Sequence, residues 1–427
     1  MLNATFQNFV RDENRTLGTE HFRTFCMALL LLAFPITVTA AEVAVEPSLF
    51  VRGEYDDNVA YTRRYKKSDY LAKIKPAFRL NYRTEVLDLE SNLAAEIYRY
   101  RDETCLNTED QHYDVNGTFQ LTERLSVSGN GAYRKDTTLE SELFETGLTG
   151  NTRQDRKRYT GGMSATYKLT EKWDAGLNYN YTKTEYDWEG NVDYNVDSIS
   201  ASFNYLLNNQ LDMITIQPYY AWMDSQATST DNYGLSFGLM HAFSETLSLT
   251  AYAGVRYTKT SYSYVNPRYM VIINPITGEP EYFVMYTPVD EKDSNFSGVA
   301  DVGISKTGET FSATIGYNQD LSYSSYGEPI EVYKAYFNTD RRITERLRFR
   351  FSGSFYVTKS EGKYNDRDER YFNVSPVLAY RLTRDYSVEV GYRYSESKDK
   401  QLSSNKTTDR NRVWVGLRFR YPMKWQR

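Results

Sequence analysis

From Pro47 onward the chain repeats one phrase: an alternating apolar/polar run, a very short polar turn, and a second alternating run. The clearest copies are Phe119-Gln120-Leu121-Thr122-Glu123-Arg124-Leu125 and Tyr167-Lys168-Leu169-Thr170-Glu171-Lys172-Trp173. Ile343-Thr344-Glu345-Arg346-Leu347 and Tyr380-Arg381-Leu382-Thr383-Arg384-Asp385-Tyr386 repeat it, and Phe243-Ser244-Glu245-Thr246-Leu247 is a further copy. A period of two puts alternate side chains on opposite faces, so such runs are strands with one greasy and one wet face. Runs of about ten residues joined in turn by tight turns and long polar loops predict a transmembrane β-barrel.

Composition agrees. The chain has 427 residues, 39 of them Tyr and 21 Phe, and a net charge of −5, which excludes a strongly basic nucleic-acid binder. A mean hydropathy of −0.64 excludes a bundle of membrane helices. It does not exclude a barrel, in which only every second strand residue meets lipid. Tyrosine suits the membrane–water interface, where the ring is apolar and the hydroxyl stays wet. A soluble propeller or solenoid would need a fixed repeat of blade length, which is missing here.

Outward apolar positions define the strands, from Leu49, Val51, Gly53 and Tyr55 at the start to Val413, Val415, Leu417 and Phe419 at the end. In the run Leu347–Thr358, Arg348, Arg350, Ser352 and Ser354 interleave with Phe349, Phe351 and Phe355. A one-residue slip would put those arginines in lipid at roughly 2–4 kcal/mol each. Eight tight turns, near 84–86, 122–124, 170–172, 207–210, 244–246, 305–309, 343–346 and 382–385, predict an all-β fold: an antiparallel barrel of about 18 strands, with 16 as the fallback. Short turns are expected on the periplasmic side and long extracellular loops on the other, near 101–112, 134–157, 184–194, 223–231, 263–293, 359–370 and 395–410. The segment 263–293 is more apolar than the rest; it either extends two strands above the membrane or folds inward as a constriction.

Residues 1–41 read as a signal peptide: Arg23, an apolar run from Phe25 to Ile36, then Thr37-Val38-Thr39-Ala40-Ala41. The barrel is expected over 42–427, and no amino-terminal plug domain is expected before the first strand. The last strand ends Gly416-Leu417-Arg418-Phe419-Arg420-Tyr421, and Pro422 is placed to stop it. That ending fits recognition by the barrel-assembly machinery, and lipid of the outer membrane is the other expected partner.

Pro47-Ser48-Leu49-Phe50-Val51-Arg52-Gly53-Glu54-Tyr55-Asp56-Asp57-Asn58-Val59 resembles the opening strand of the type 2 β-barrel porin family, with its Tyr-Asp-Asp-Asn ending. Ser68-Asp69-Tyr70 and Ile74-Lys75-Pro76-Ala77-Phe78-Arg79-Leu80 carry the resemblance on. It spans about residues 47–100 and is architectural beyond them. It implies an integral protein of the Gram-negative outer membrane, often linked to exopolysaccharide loci, and hence polysaccharide export partners. Fold alone does not fix cargo.

Alternation turns Arg52, Lys73, Lys75, Arg79, Arg83, Arg348, Arg350, Arg381, Arg393, Arg412, Arg418 and Arg420 inward, on one wall where the last strand meets the first. Glu54, Asp56 and Glu389 face them, and Asp88, Glu90 and Glu96 lie alongside. A pore-lining basic strip would favour anions; the contrary reading is a wall stiffened by ion pairs. Inward Tyr98, Tyr219, Tyr252, Tyr356 and Trp414 either stack on sugar rings or fill space. His112, near Asp110 and Asp114, and His241 are the histidines past residue 41, and no nucleophile elbow, phosphate loop or metal cluster accompanies them. No cofactor and no enzyme activity is expected. The readings in order are a channel for polar solutes or saccharide export, a non-conducting structural or loop-binding barrel, and an outer-membrane hydrolase.

Overall fold

The computed structural model describes residues 41–148, 153–188, 190–226, 228–273, 280–360, 368–399 and 406–426. Residues 1–40, and with them the signal-peptide reading, lie outside the described residues. Glu42–Trp425 forms one compact unit.

Eighteen antiparallel strands pair in chain order. They are β1 (Glu42–Asp56), β2 (Asp69–Arg83), β3 (Leu87–Tyr100), β4 (Thr108–Gln120), β5 (Leu125–Thr137) and β6 (Asp155–Lys168). Next come β7 (Trp173–Tyr186), β8 (Tyr194–Leu206), β9 (Asp212–Ser225), β10 (Thr228–Ser244), β11 (Leu247–Ile273) and β12 (Pro280–Thr307). The ring is completed by β13 (Phe311–Tyr323), β14 (Pro329–Arg342), β15 (Leu347–Ser360), β16 (Asp368–Arg381), β17 (Tyr386–Asp399) and β18 (Lys406–Arg420). Pairing of β1 with both β2 and β18 closes it, with Leu49 opposite Phe419 and Phe50 opposite Arg418. Closure satisfies both edges, as a sheet in lipid requires. A short strand, β19 (Met423–Gln426), follows Pro422.

The recurring sequence phrase has a local cause. In six of the eight tight turns a hydroxyl accepts the backbone N–H three residues on: Thr122 from Leu125 at 3.0 Å, Thr170 from Trp173 at 3.0 Å, Thr344 from Leu347 at 2.9 Å and Thr383 from Tyr386 at 3.1 Å. Thr84 and Ser244 do the same for Leu87 and Leu247, at 2.9 and 3.1 Å. The side chain thus takes over a donor that the turn would leave open.

Outward positions form an exposed apolar surface; Val413, Val415 and Leu417 on β18 and Leu177 and Phe203 across the ring are typical. A soluble monomer rarely exposes such a continuous belt. Among the described residues no helix is long and apolar enough to cross a membrane.

The ends differ from the expected loops. The β9–β10 connection is a two-residue link after Ser225, not a long loop over 223–231. The segment 263–293 is mostly strand: β11 and β12 stay paired from Leu247↔Lys306 to Ile273↔Pro280, extending past their neighbours instead of folding inward. Residues 274–279 at its tip lie outside the described residues. The expected polar loop over 134–157 carries a helix, α1 (Thr138–Thr146), and this segment, not 263–293, enters the lumen.

Candidate functional site: a half-filled lumen

Inward side chains change character along each strand. On β15, Arg348 near the turn end is exposed, Arg350, Ser352 and Ser354 are half-buried, and Tyr356 and Thr358 are buried. On β3 the series runs from exposed Asp88 and Glu90 to buried Glu96, Tyr98 and Tyr100. On β7 it runs from half-buried Asp174 and Asn178 to buried Thr184 and Tyr186. The lumen is wet in its turn half and filled in its loop half.

Among the described residues, three connections do the filling. In the first, 57–68 between β1 and β2, each polar residue of the Tyr-Asp-Asp-Asn run has a task. Asp56, fully buried, takes two bonds from Arg410 of β18, at 2.8 Å from Nε and 2.5 Å from Nη2. Asp57 accepts the Asn411 N–H at 2.7 Å. Asn58 donates to the carbonyls of Thr62 at 2.8 Å and Asp409 at 2.9 Å, and accepts the Thr62 N–H at 2.9 Å. The motif clasps first strand to last and bends the chain inward, delivering Tyr61 in the left-handed region (φ 50°) to a buried cluster.

The second connection is α1. Its start follows β5 and its end is capped by Gly147 in the left-handed region (φ 76°), whose N–H bonds Leu143 O at 3.0 Å. Leu139, Leu143 and Leu148 pack with Tyr61 and with Ile330, Val332, Tyr356 and Tyr371 of β14, β15 and β16. Those strands stand opposite β5 and β6 in the ring. The Tyr356 hydroxyl donates to Phe144 O at 2.6 Å, the Thr358 hydroxyl donates to Thr146 O, and Arg393 covers the Phe144 ring at 5.1 Å. On the near wall Glu145 meets Arg156 at 2.9 Å, Arg158 at 2.8 Å and Arg134 at 3.5 Å. The helix is therefore a strut fixed at both walls.

The third connection, 324–328 between β13 and β14, turns at Gly327 (φ 72°). Its Ser325 N–H donates to Glu142 Oε1 of α1 at 2.9 Å, Ser325 O accepts from Val192 N at 2.8 Å, and Gly327 O accepts from the Thr228 hydroxyl. Together these pieces form a septum across the loop half of the lumen.

Two carboxylates one turn apart on α1 answer this setting in opposite ways. Burial pushes the Glu142 carboxyl up; nearby Arg156 and the Ser325 N–H only partly offset it. Burial acts likewise on Glu145, but Arg156 and Arg158 outweigh it and hold that carboxyl below the usual range.

The twelve cations of the basic strip fall on the inward phase of their strands. Arg52 meets Glu54 at 2.5 Å, and Arg412 approaches the same carboxylate at 3.8 Å. Lys73 and Lys75 share Glu96, the latter at 2.6 Å. Arg350 and Arg418 share Glu389, at 2.9 and 3.6 Å. Nearer the turn end, Arg79 lies 3.7 Å from Glu90, Arg83 2.6 Å from Asp88 and Arg348 2.6 Å from Asp340. Arg381 donates to Glu345 O at 2.9 Å, and Arg420 is exposed at the mouth. Ion pairing and a basic surface thus coexist on one wall.

Three of the inward aromatics are packed against protein groups. Arg52 covers Trp414 at 5.0 Å and Lys73 covers Tyr98 at 4.7 Å, while Tyr356 is locked into the septum. Trp414 needs Gly391 beside it, where a Cβ would come within 2.1 Å of the indole. Of the histidines, His112 faces inward between Ala94 and Arg134, and His241 contacts Asp212 at the turn end.

Residues 38–147 match the model of a family described as putative beta-barrel porin 2. The match takes in β1 to β5 and α1, so it includes the Tyr-Asp-Asp-Asn run and the helix, but not their partners on the later strands. No curated protein sequence matches the chain. Among solved structures, the outer membrane protein OpdK from Pseudomonas aeruginosa superposes with a TM-score of 0.41 at 9% identity, covering 89% of this chain and 99% of that one. OccK2 (OpdF) from the same organism gives 0.41 at 10%, covering 90% and 98%, and the copper transporter OprC gives 0.42 at 9%, covering 89% and 82%. These are likenesses of barrel architecture. The chain is a closed 18-strand antiparallel β-barrel whose opening strands match a porin family model.

Proposed function

We propose that the barrel is a channel for polar solutes, open to the periplasm through its turn half and narrowed at the outer end by the septum. The observation that carries this reading is the gradient of inward side chains, wet and charged below, buried above. A wide, closed ring with a hydrated interior conducts unless something blocks it. The basic wall supports a preference for anions, since confined cations raise the local anion concentration. Export of an acidic saccharide is the finer reading; the family resemblance and a charged vestibule facing the periplasm support it. Polysaccharide export partners at that mouth and insertion by the barrel-assembly machinery belong to the same reading, as does removal of a leader ending near Ala40 or Ala41.

Reversal potentials in planar bilayers under a salt gradient test the proposal. The expected result is a small, anion-selective conductance that loses selectivity when Arg348, Arg350 and Arg418 become Ser. A cation-selective pore unaffected by those changes would remove the anion reading. The strut fixed at both walls favours a second reading, a non-conducting structural barrel. A wild-type protein that stays silent, together with equally silent Leu143→Ser and Tyr356→Ala variants, would establish it.

A further inference from the structure

Along the wall that runs from β13 through β18 into β1, β2 and β3, a cavity of about 480 Å³ opens on the lumen, and both shared carboxylates line it with their four cations. Glu96 accepts Lys73 and Lys75 together with the Tyr98 hydroxyl at 2.7 Å. Glu389 accepts Arg350 and Arg418, and its other oxygen receives Trp414 Nε1 at 3.4 Å. Each acid is nearly enclosed, with 11% and 9% of its side chain exposed. Four cations thus lean on two carboxylates whose oxygens are already occupied; of the other charged lining residues Arg52 is taken by Glu54, Asp340 by Arg348, and Arg393 lies over the Phe144 ring, so the wall keeps at least two positive charges in excess.

The cations keep binding capacity. The Arg350 side chain is 43% exposed, Lys75 35% and Arg418 31%, so their heads reach the lumen. Arg350 Nε is buried and has no hydrogen-bond partner. A guanidinium offers five donors, and a single carboxylate oxygen satisfies few of them. An uncompensated charge pair against a low-dielectric wall draws a counter-charge.

We propose that this cavity is a binding site for a small dianion, a molecule carrying two carboxylate charges or one phosphate. An excess of at least two charges sets the class: a monoanion leaves at least one cation uncompensated, and a neutral sugar leaves two or more. The site rests on the hydrated turn half of the lumen described above, but it does not require that the septum ever opens.

Calorimetric titration of the purified barrel in lipid nanodiscs, at low salt and mildly alkaline pH, tests the site without measuring current. The probes are succinate, inorganic phosphate, acetate and neutral succinamide. Succinate, phosphate or both should bind at least about tenfold more tightly than acetate. The tighter of the two tells whether two separated carboxylates or one doubly charged group fits. Arg350→Gln and Arg418→Gln should each lower dianion affinity by roughly tenfold, while Glu389→Gln should raise it, because it adds to the excess charge. A purely structural set of ion pairs predicts no such rise. Equal binding of acetate and succinate, or unchanged affinity in the folded Arg350→Gln and Arg418→Gln variants, would overturn the proposal. A barrel silent in bilayers that still binds succinate would refute the channel and leave this site standing.

Discussion

Gly147 is the position at which one methyl group should unseat the septum. It sits in the left-handed region (φ 76°), and an added Cβ would lie 2.6 Å from Tyr356 Cβ and 3.1 Å from its Cγ. Tyr356 cannot give way easily. Its Cβ is fixed by β15, and its hydroxyl donates to Phe144 O on the same helix. A residue with Cβ in that backbone region costs about 1–2 kcal/mol, and forced overpacking about 1–3 kcal/mol more. Gly147→Ala should therefore weaken seating of α1 by roughly 2–5 kcal/mol, a shift of roughly 30- to 4,000-fold in the ratio of seated to released septum. The ring itself contains none of this strain, so the folded barrel should persist. The assay is single-channel recording, paired with electrophoresis of unheated and heated samples to confirm the folded barrel. Larger or longer openings are expected. A folded Gly147→Ala barrel with wild-type conductance would refute the idea that the seated helix limits flow.

The α1 carboxylates set the pH response of the septum. Glu142 has a raised folded-state pKa, so its contribution is full at low pH and falls as pH rises from the ordinary carboxylate range through the raised value. Glu145 has a lowered one, so its contribution is present above the ordinary range and is lost as pH falls through the lowered value. In conductance–pH profiles, Glu142→Gln should flatten the alkaline limb and Glu145→Gln the acid limb; two wild-type profiles would exclude both roles. Asp56→Ala leaves Arg410, which is 3% exposed, without its carboxylate and should cost about 3–5 kcal/mol. The loss should appear as a lower temperature for the shift from folded to unfolded electrophoretic mobility. On the outer face, Leu417→Arg should cost about 2–4 kcal/mol at mid-membrane, whereas its inward neighbour Arg418→Leu should leave the barrel folded. Equal tolerance of the two would mean that the faces are misassigned.

Much of this architecture was legible in the sequence, because a period of two leaves little freedom once one face must meet lipid. The strand count, the closure of the last strand on the first, and the inward phase of Arg348 and Arg350 all follow from alternation. The septum did not follow. The segments 57–68 and 324–328 were not among the expected long loops, and 134–157 was expected to stand outside as a polar loop. Its three glutamates masked the pattern, although Leu139 and Leu143 are four residues apart and Gly147 is a plain helix stop. What decides the direction of such a loop is a partner on the opposite wall, here Tyr356 and Tyr371, and alternation within one strand carries no information about that. The Tyr-Asp-Asp-Asn run was recognisable as a motif but not as a clasp, since Arg410 and Asn411 lie more than three hundred residues away. The sharing of Glu96 and Glu389 was hidden for the same reason: facing acids can be read from sequence, but not how many cations each one serves.

Spin labels placed one at a time from Leu347 to Thr358 on β15 test the central claim most directly, read by collision with a water-soluble relaxing agent and with oxygen dissolved in lipid. Labels at 348, 350, 352 and 354 should meet the aqueous agent, labels at 349, 351 and 355 should meet oxygen, and labels at 356 and 358 should be shielded from both by the septum. Loss of the two-residue period, or the same period in opposite phase, would contradict a sealed ring with a wet interior.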